Sequence, residues 1–359
     1  MPTPLRPDIT ALAAYHVQPA EGFIKLDAME NPFAFPHALR AGLADVLASA
    51  SLSRYPSAGA HELKAAIRTA MQIPAELDIL LGNGSDEIIQ IIAMACAKPG
   101  AALLSVEPAF VMFKMIATFC NLKYVGVPLA TDFSLDTSAM LRAIEAEQPA
   151  VTFIAYPNNP TGNLFDRESI HRIIAATATY GGLTVIDEAY YAFSSESFLS
   201  DIAVHPNVVL MRTVSKLGLA GLRLGILIGR PAWLNEFDKV RLPYNINALT
   251  QAAALFALQH VSAFTAQAET LIHERTRMAA ALAKLAGVTV FPSQANFLLV
   301  RFPDAKATFA TLISRKILVK NTSASHPLLA NTLRLTIGAP AENDALIAAL
   351  SSLSLTSHA

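Results

Sequence analysis

Cysteine is scarce in this sequence. Only Cys96 and Cys120 occur in 359 residues, too few for a disulfide framework, and Cys96 falls in an apolar helical pattern that predicts simple packing. Charge is thin as well. Charged residues make up 15%, the formal net charge is −1 and there is no Lys/Arg run, which argues against nucleic acid as a partner. Nor is there a good membrane span. The charge-free stretch 242–268 is broken by Asn245, Asn247, Gln251, Gln259 and His260, which suits lipid poorly. The opening Met1-Pro2-Thr3-Pro4-Leu5-Arg6-Pro7-Asp8 lacks the apolar core of a signal peptide, so a cytoplasmic enzyme is expected. What is abundant is apolar residue, 53% of the chain. That exceeds the usual soluble average and can serve a sizeable core plus a dimer interface. The length suits a large domain and a smaller one.

Residues 1–30 hold no long periodic segment, and Lys25-Leu26-Asp27-Ala28-Met29-Glu30-Asn31-Pro32 reads as a polar-studded arm. Asn31-Pro32 and Phe35-Pro36 forbid a continuous helix there. Helical stretches are expected near 37–48 and 60–71. Beyond the short run 77–81 the pattern alternates. Strand-like segments fall at 101–106, 122–127, 151–156, 183–187, 208–213 and 224–228, with helical ones at 86–97, 109–119, 137–147 and 167–180. Apolar strands without strict alternation, separated by helices, predict a mostly parallel sheet covered on both faces. After Pro243 the texture changes to an Ala/Leu-rich helical region expected to run unbroken from about 248 to 285, able to bridge two domains. Short strands at 288–291, 297–302, 317–320 and 333–337, with a final helix after Ala341, predict a smaller α/β domain. The expected division is an arm over 1–35 that contributes to the small domain and to dimer contacts, a large cofactor-binding domain over 36–245 and a small C-terminal domain over 246–359.

Four strand ends carry candidate chemistry. Gly82-Asn83-Gly84-Ser85-Asp86-Glu87 opens a helix with Ser85 as the expected N-cap and Ile88, Ile91, Ile92 and Ala95 as the expected core stripe. Its glycines and helix N-terminus favour an anion, although an ordinary capped helix explains it too. Phe110, after Glu107-Pro108, could stack on a flat ring or simply join the core. Tyr156-Pro157-Asn158-Asn159-Pro160-Thr161-Gly162 is either a tight turn or a rigid mount for an amide donor aimed at a phenolic oxygen. Leu183 to Tyr190 ends a buried strand in Asp187, Glu188 and Tyr190. A carboxylate there needs a partner or a purpose. Asp187 could pair with a protonated pyridine nitrogen, while a metal-binding acidic pair is the alternative. No nearby His, Asp or Glu has ligand spacing, so no metal is expected.

The central stretch is Thr213-Val214-Ser215-Lys216, followed by a glycine-bearing turn and Arg223. Strand ends deliver side chains into the crevice of an open α/β sheet. Hydroxyls and an arginine are donors for a phosphate. A lysine among them is placed to anchor an aldehyde cofactor as a Schiff base.

In this order, Asn159-Pro160-Thr161-Gly162, Asp187-Glu188-Ala189-Tyr190 and Ser215-Lys216…Arg223 resemble the fold-type I PLP-dependent aminotransferases. The resemblance runs from about Tyr15 to the C-terminus. Within that superfamily the arm 25–32, Arg54-Tyr55-Pro56, the 82–87 turn and the tail His326-Pro327-Leu328-Leu329…Leu333-Arg334-Leu335 look like the histidinol-phosphate aminotransferase group. The resemblance implies the aspartate aminotransferase-like fold, pyridoxal 5'-phosphate as cofactor and a homodimer. It implies Lys216 as anchor and proton shuttle, Asp187 on the pyridine nitrogen, and Asn159 and Tyr190 on the phenolic oxygen. Phe110 would stack on the ring. Ser85 and Asp86, Thr213, Ser215 and Arg223 would hold the phosphate, helped by Tyr55 from the partner subunit. Arg334 would grip the substrate anion, a role its guanidinium fork suits for carboxylate and phosphate alike, with Tyr15 and Lys320 closing the site. Two departures stand out: the Lys216 to Arg223 spacing is one residue shorter than in many aminotransferases, and Lys320 stands where several relatives have arginine. The implied reaction is ping-pong transamination of L-histidinol phosphate with 2-oxoglutarate. Rival readings are an aromatic amino acid aminotransferase, an amino-acid-phosphate decarboxylase and a non-catalytic PLP-sensing regulator.

Overall fold

A computed structural model describes residues 4–14 and 18–353. In chain order its strands are β1 (Ile24–Leu26), β2 (Asp78–Asn83), β3 (Ala102–Glu107), β4 (Lys123–Pro128), β5 (Val151–Ala155), β6 (Leu183–Asp187), β7 (Val208–Thr213), β8 (Leu224–Gly229), β9 (Thr289–Val290), β10 (Phe297–Arg301), β11 (Ile317–Asn321) and β12 (Thr332–Thr336). They form a seven-stranded sheet, β2-β8-β7-β6-β5-β3-β4, and a five-stranded sheet, β1-β11-β12-β10-β9. In the larger sheet only β8 runs against its neighbours, pairing antiparallel with β2 and β7.

Alternation along each strand explains why these segments are apolar throughout. Phe153, Val185, Val209, Met211 and Leu227 join one buried cluster, while Ile154, Ile186, Leu210, Ile226 and Ile228 join the other. Successive side chains face opposite ways, and both faces are covered by helices. The helix Ser85–Cys96 packs on one face against β2 and β8, and also against helices Val111–Phe119 and Pro231–Asp238. Being flanked on two sides, it buries Ile89 and Ala93 as well as Ile88, Ile91 and Ile92. Ala95, expected in that stripe, is exposed.

β3 feeds outward to the edge strand β4, whereas β5 lies on its other side and the chain continues to β6 and β7. The direction of winding therefore changes between β3 and β5. Loops leaving such a point diverge and open a crevice beyond the carboxyl ends of the strands. Phe110 follows β3 and Asn159 follows β5.

The expected single helix after Pro243 needs correction. The helical region after Pro243 is two helices, Ala248–Gln259 and Val261–Leu282, separated at His260 (φ −118°, ψ 32°). The His260 ring turns back onto the Phe256 carbonyl, 2.9 Å away. The first helix packs on helices Arg40–Ser49 and His61–Ala70, and the second on β10 and the C-terminal helix Pro340–Ser351. One straight rod could not serve both. The arm also contributes a strand: β1 pairs in parallel with β11, which a three-residue segment is too short to announce by periodicity.

Glu188 follows Asp187 but points the other way. It is fully buried, accepts two bonds from Arg212 (Nε 3.0 Å, Nη2 2.9 Å) and one from the Phe198 amide at 2.6 Å, and receives the Ser197 hydroxyl. Removing one member of a buried pair strands the other charge. Arg212→Met should therefore lower the unfolding free energy by about 3–5 kcal/mol in urea denaturation, with E188L/R212M recovering part of the loss. A single-variant loss under about 1 kcal/mol would contradict this reading.

Candidate active site

Beyond the carboxyl ends of β3, β5, β6 and β7 lies a cavity of about 370 Å³. Its walls include Ser85, Asp86, Phe110, Asn159, Asp187, Tyr190, Thr213, Ser215, Lys216 and Arg223, together with Ala28, Met29 and Glu30 of the arm. Ten of the residues singled out from the sequence are thus brought together. Tyr55, Lys320 and Arg334 are not among the walls; Arg334 stands behind Asn159, one of them. Tyr55 is 81% exposed, stacked on Tyr244 at 4.6 Å. Lys320 is exposed on β11, opposite Arg334 of β12 in the register. Tyr15 lies outside the described residues.

At one end the chain forms a cup. The helix begins at Ser85 with Gly84 as its cap residue, and no side chain caps it, so Ser85 is the first helical residue rather than the N-cap. First-turn N–H groups have no intrahelical partner and point into the cavity end. Gly84 has φ +85°, and a Cβ there would meet the Arg223 guanidinium at 2.4 Å. A Cβ on Gly225 would meet the Gly84 carbonyl carbon at 2.6 Å. The absence of both lets Arg223 and the helix end close on one point. The Thr213 hydroxyl donates to the Leu224 carbonyl at 3.0 Å and accepts from the Ser215 amide at 3.1 Å, with Ser215 Oγ 2.8 Å away. Thr213 thereby fixes the turn, and Ser215 and Arg223 remain as the freer donors. Asp86 Oδ1 is buried without a hydrogen-bond partner; burial raises its carboxyl above the usual range despite Arg223 at 3.9 Å.

At the centre sit two charges taken out of water. Asp187 is buried, with Oδ1 accepting from the Ala189 amide at 3.0 Å. Desolvation pushes it up to about 7, against the opposing pull of that amide. Lys216 Nζ donates to the Ala28 carbonyl at 3.3 Å and lies 5.9 Å from the Tyr190 ring centre. Desolvation, with Arg334 and Arg223 adding repulsion, lowers it to about 8.

The third group lines the other side. Asn159 Nδ2 donates to the Tyr190 hydroxyl at 3.1 Å, and Tyr190 in turn donates to Met29 Sδ at 3.6 Å. Burial raises the Tyr190 phenol above its ordinary value. Arg334, only 9% exposed, donates to Asn159 Oδ1 at 2.7 Å and to the Asp27 carbonyl at 2.9 Å, its guanidinium 5.4 Å from the Phe297 ring centre. Phe110 is half-buried and edge-on to Phe113.

Sequence reasoning missed the arm's role as wall and Asn296 as its clamp. Asn296 Nδ2 holds the Met29 carbonyl at 3.0 Å, and the Thr336 hydroxyl receives the Met29 amide at 3.0 Å. The polar string 27–31 was the available signal. The acidic-pair alternative is excluded by geometry, since Glu188 is engaged on the far face with Arg212.

The two central charges act oppositely with pH. Below about pH 4 Asp187 is protonated folded or unfolded. Between there and about 7 only the folded chain keeps the proton, so stability falls as pH rises, and above 7 the full penalty stands. For Lys216 the penalty is complete below about 8 and is relieved as pH climbs towards 10.5. Cofactor-free Asp187→Asn should therefore be more stable than cofactor-free wild type above pH 7, on the order of a few kcal/mol, and equal to it near pH 4. Denaturant titration across that range checks this; a difference independent of pH would contradict it.

Comparison with known proteins agrees with this geometry. Residues 21–350 match the family model for aminotransferase class I and II. The chain is 55% identical to histidinol-phosphate aminotransferase 1 of Burkholderia lata over 346 residues, 96% of each protein. It is 54% identical to the histidinol-phosphate aminotransferase of Chromobacterium violaceum, again across 96% of each. The crystal structure of histidinol-phosphate aminotransferase from Sinorhizobium meliloti in complex with pyridoxal-5'-phosphate superposes with a TM-score of 0.85 at 25% identity, covering 98% of this chain and 97% of that one. With that family model matched over most of its length and relatives more than half identical across nearly all of it, this chain belongs to the class I and II aminotransferase family.

Proposed function

We propose that this enzyme transfers the amino group of L-histidinol phosphate to 2-oxoglutarate, giving imidazole acetol phosphate and L-glutamate, as a step of histidine biosynthesis. The observation that carries the substrate is the 55% identity over 96% of the chain to a protein of that activity. The cleft supports the reaction class.

Pyridoxal 5'-phosphate, the family's cofactor, supplies when bound an aldehyde that takes up the amino group and a ring that delocalises the electron pair left at the substrate carbon. The residues present suit it. Its phosphate would meet the Ser85 and Asp86 amides, Ser215 and Arg223; its pyridine nitrogen would meet Asp187, whose buried carboxylate lacks a cation; and Phe110 would cover one ring face. Asn159 and Tyr190 would donate to the phenolic oxygen. Lys216 would anchor the aldehyde carbon.

The protein's own part is proton handling and orientation. With Nζ lowered to about 8, Lys216 has a sizeable neutral fraction near neutral pH. It would take the proton from the substrate carbon at Nζ and return it, across the amino nitrogen, to the carbon that was the cofactor's aldehyde. Arg334, held by Asn159 Oδ1 and the Asp27 carbonyl, would turn its guanidinium to an anion. It would serve the phosphate of one substrate and the carboxylate of the other in turn. Lys320, opposite Arg334 across β11 and β12, would add charge for a phosphate dianion. Two cations facing each other repel, and an anion between them reverses that sign. The arm 27–31 lies over Lys216 and limits water.

The active unit proposed is a homodimer in the cytoplasm, with the arm 1–35, the cofactor domain 36–245 and the small domain 246–359. Leu52, Tyr55, Tyr244 and Leu249 are exposed together around one wide surface hollow. Such an apolar patch marks an association surface, and across it Tyr55 would reach the partner's phosphate cup.

Lys216→Ala should abolish turnover of histidinol phosphate with 2-oxoglutarate. Wild type should prefer that pair over phenylalanine and should leave phosphothreonine without 2-oxoglutarate undecarboxylated. A chain preferring phenylalanine, or releasing carbon dioxide from phosphothreonine, would overturn the substrate. Mixing inactive K216A with impaired Y55A should restore roughly a quarter of the wild-type rate through hybrid dimers, each with one complete site; no gain on mixing would place Tyr55 outside the partner's site.

A further inference from the structure

A second cluster lies away from the cleft, where the helix Arg167–Thr179 meets the segment that leads into β7. Asp201 opens a single helical turn, Asp201–Val204, and the His205 amide closes it on the Asp201 carbonyl at 2.8 Å. Residues four apart on a helix share a face, so the Asp201 and His205 side chains stand together. His171, on the neighbouring helix Arg167–Thr179, completes the group. Its Nε2 is 2.6 Å from Asp201 Oδ1, and its ring lies 5.3 Å from that of His205. One ligand atom from each of the three falls within 4.8 Å of the other two.

We propose that His171, Asp201 and His205 bind a divalent ion of the zinc class, with water completing the coordination. Two imidazole nitrogens and one carboxylate oxygen are a donor set for zinc rather than for calcium or magnesium, which take oxygen shells. The supporting shell is already built. Arg167, one turn before His171, holds the other carboxylate oxygen of Asp201 and donates to the Ser197 carbonyl at 3.1 Å, its guanidinium 4.2 Å from the Phe198 ring centre. The Ser200 hydroxyl reaches the same Asp201 oxygen at 3.2 Å. Oδ1 is thereby turned towards the histidines, as outer partners orient metal ligands. The His171 ring is fixed edge-on against Phe198, 5.7 Å between centres. Charge is tolerable too, because Glu196 lies 3.7 Å from Arg167 and offsets it. Asp201 is buried while both histidines are half-exposed, which leaves a mouth through which an ion and its waters enter.

None of the three lines the cofactor cleft. β7 begins just after His205 and ends at Thr213 in the cleft, so about 17 Å of strand separates them. The ion would clip the helix Arg167–Thr179 to the segment leading into β7, with no part in the chemistry.

The test is Zn²⁺ titration of tag-free, chelator-treated holoenzyme, compared with His171→Gln and His205→Gln. One Zn²⁺ per chain is expected in wild type. Each variant should bind it more weakly by at least the roughly 10- to 100-fold that loss of an outer-shell partner alone costs. Metal-free His205→Gln should keep the wild-type melting temperature and transamination rate, which excludes unfolding as the cause. Zn²⁺ should raise the melting temperature of wild type only, and Co²⁺ should give visible ligand-field bands that either variant loses. No Zn²⁺ bound by wild type, or wild-type binding retained by either variant, would overturn the site and leave a hydrogen-bonded His–Asp pair.

Discussion

Desolvation of Lys216 and Asp187 in one cleft is the constraint from which the site follows. Neighbouring carboxylates in β6 and just after it show the contrast. Glu188 is buried with Arg212, an amide and a hydroxyl, so its charge is met within the protein. Asp187 is buried with one amide, and its proton affinity rises until it titrates near 7. Lys216 responds in the opposite sense, as a buried ammonium must. An unmatched carboxylate and an unmatched ammonium facing one cavity are costly in isolation. Under the function proposed, a ligand would bring a cationic ring nitrogen to the first and an electrophilic carbon to the second.

Convergence of two sheets completes the cleft. The large sheet supplies Lys216, Asp187 and the cup formed by Ser85, Ser215 and Arg223 from strand ends and turns, where each side chain is backed by a buried strand. The small sheet supplies Arg334 from β12, and its β1 leads directly into the arm. Arg334, Asn296 and Thr336 all fasten the arm's main chain. Asn159 links the two halves, donating to Tyr190 and accepting from Arg334. A change at Arg334 would therefore be felt at the Tyr190 phenol.

Much of this was legible from residue patterns because burial on both faces leaves a continuous apolar signature. The segments at β3, β5, β6 and β7 were readable for that reason, and polar residues ending such runs marked the cleft. The class I and II aminotransferase family and the mixed α/β fold expected from the motifs agree with the comparisons. What failed to show had local causes. β1 is held by hydrogen bonds to β11, a partner nearly 300 residues away, and three residues carry no period. The break at His260 arises where the two helices dock on different neighbours, the first on helices Arg40–Ser49 and His61–Ala70 and the second on β10 and the C-terminal helix, a tertiary demand within a sequence that is helix-prone throughout. Ser85 resembles a cap, but Gly84 takes the left-handed backbone that Arg223 requires beside it. The His171, Asp201 and His205 cluster escaped for a related reason: only Asp201 and His205 are close in sequence.

Chemical trapping tests the central claim most directly. Holoenzyme reduced with borohydride, digested and mapped by mass spectrometry should carry the pyridoxyl group on the Lys216 side chain and nowhere else in stoichiometric amount. A label on another lysine, or none, would contradict the assignment of the cleft even with the fold unchanged.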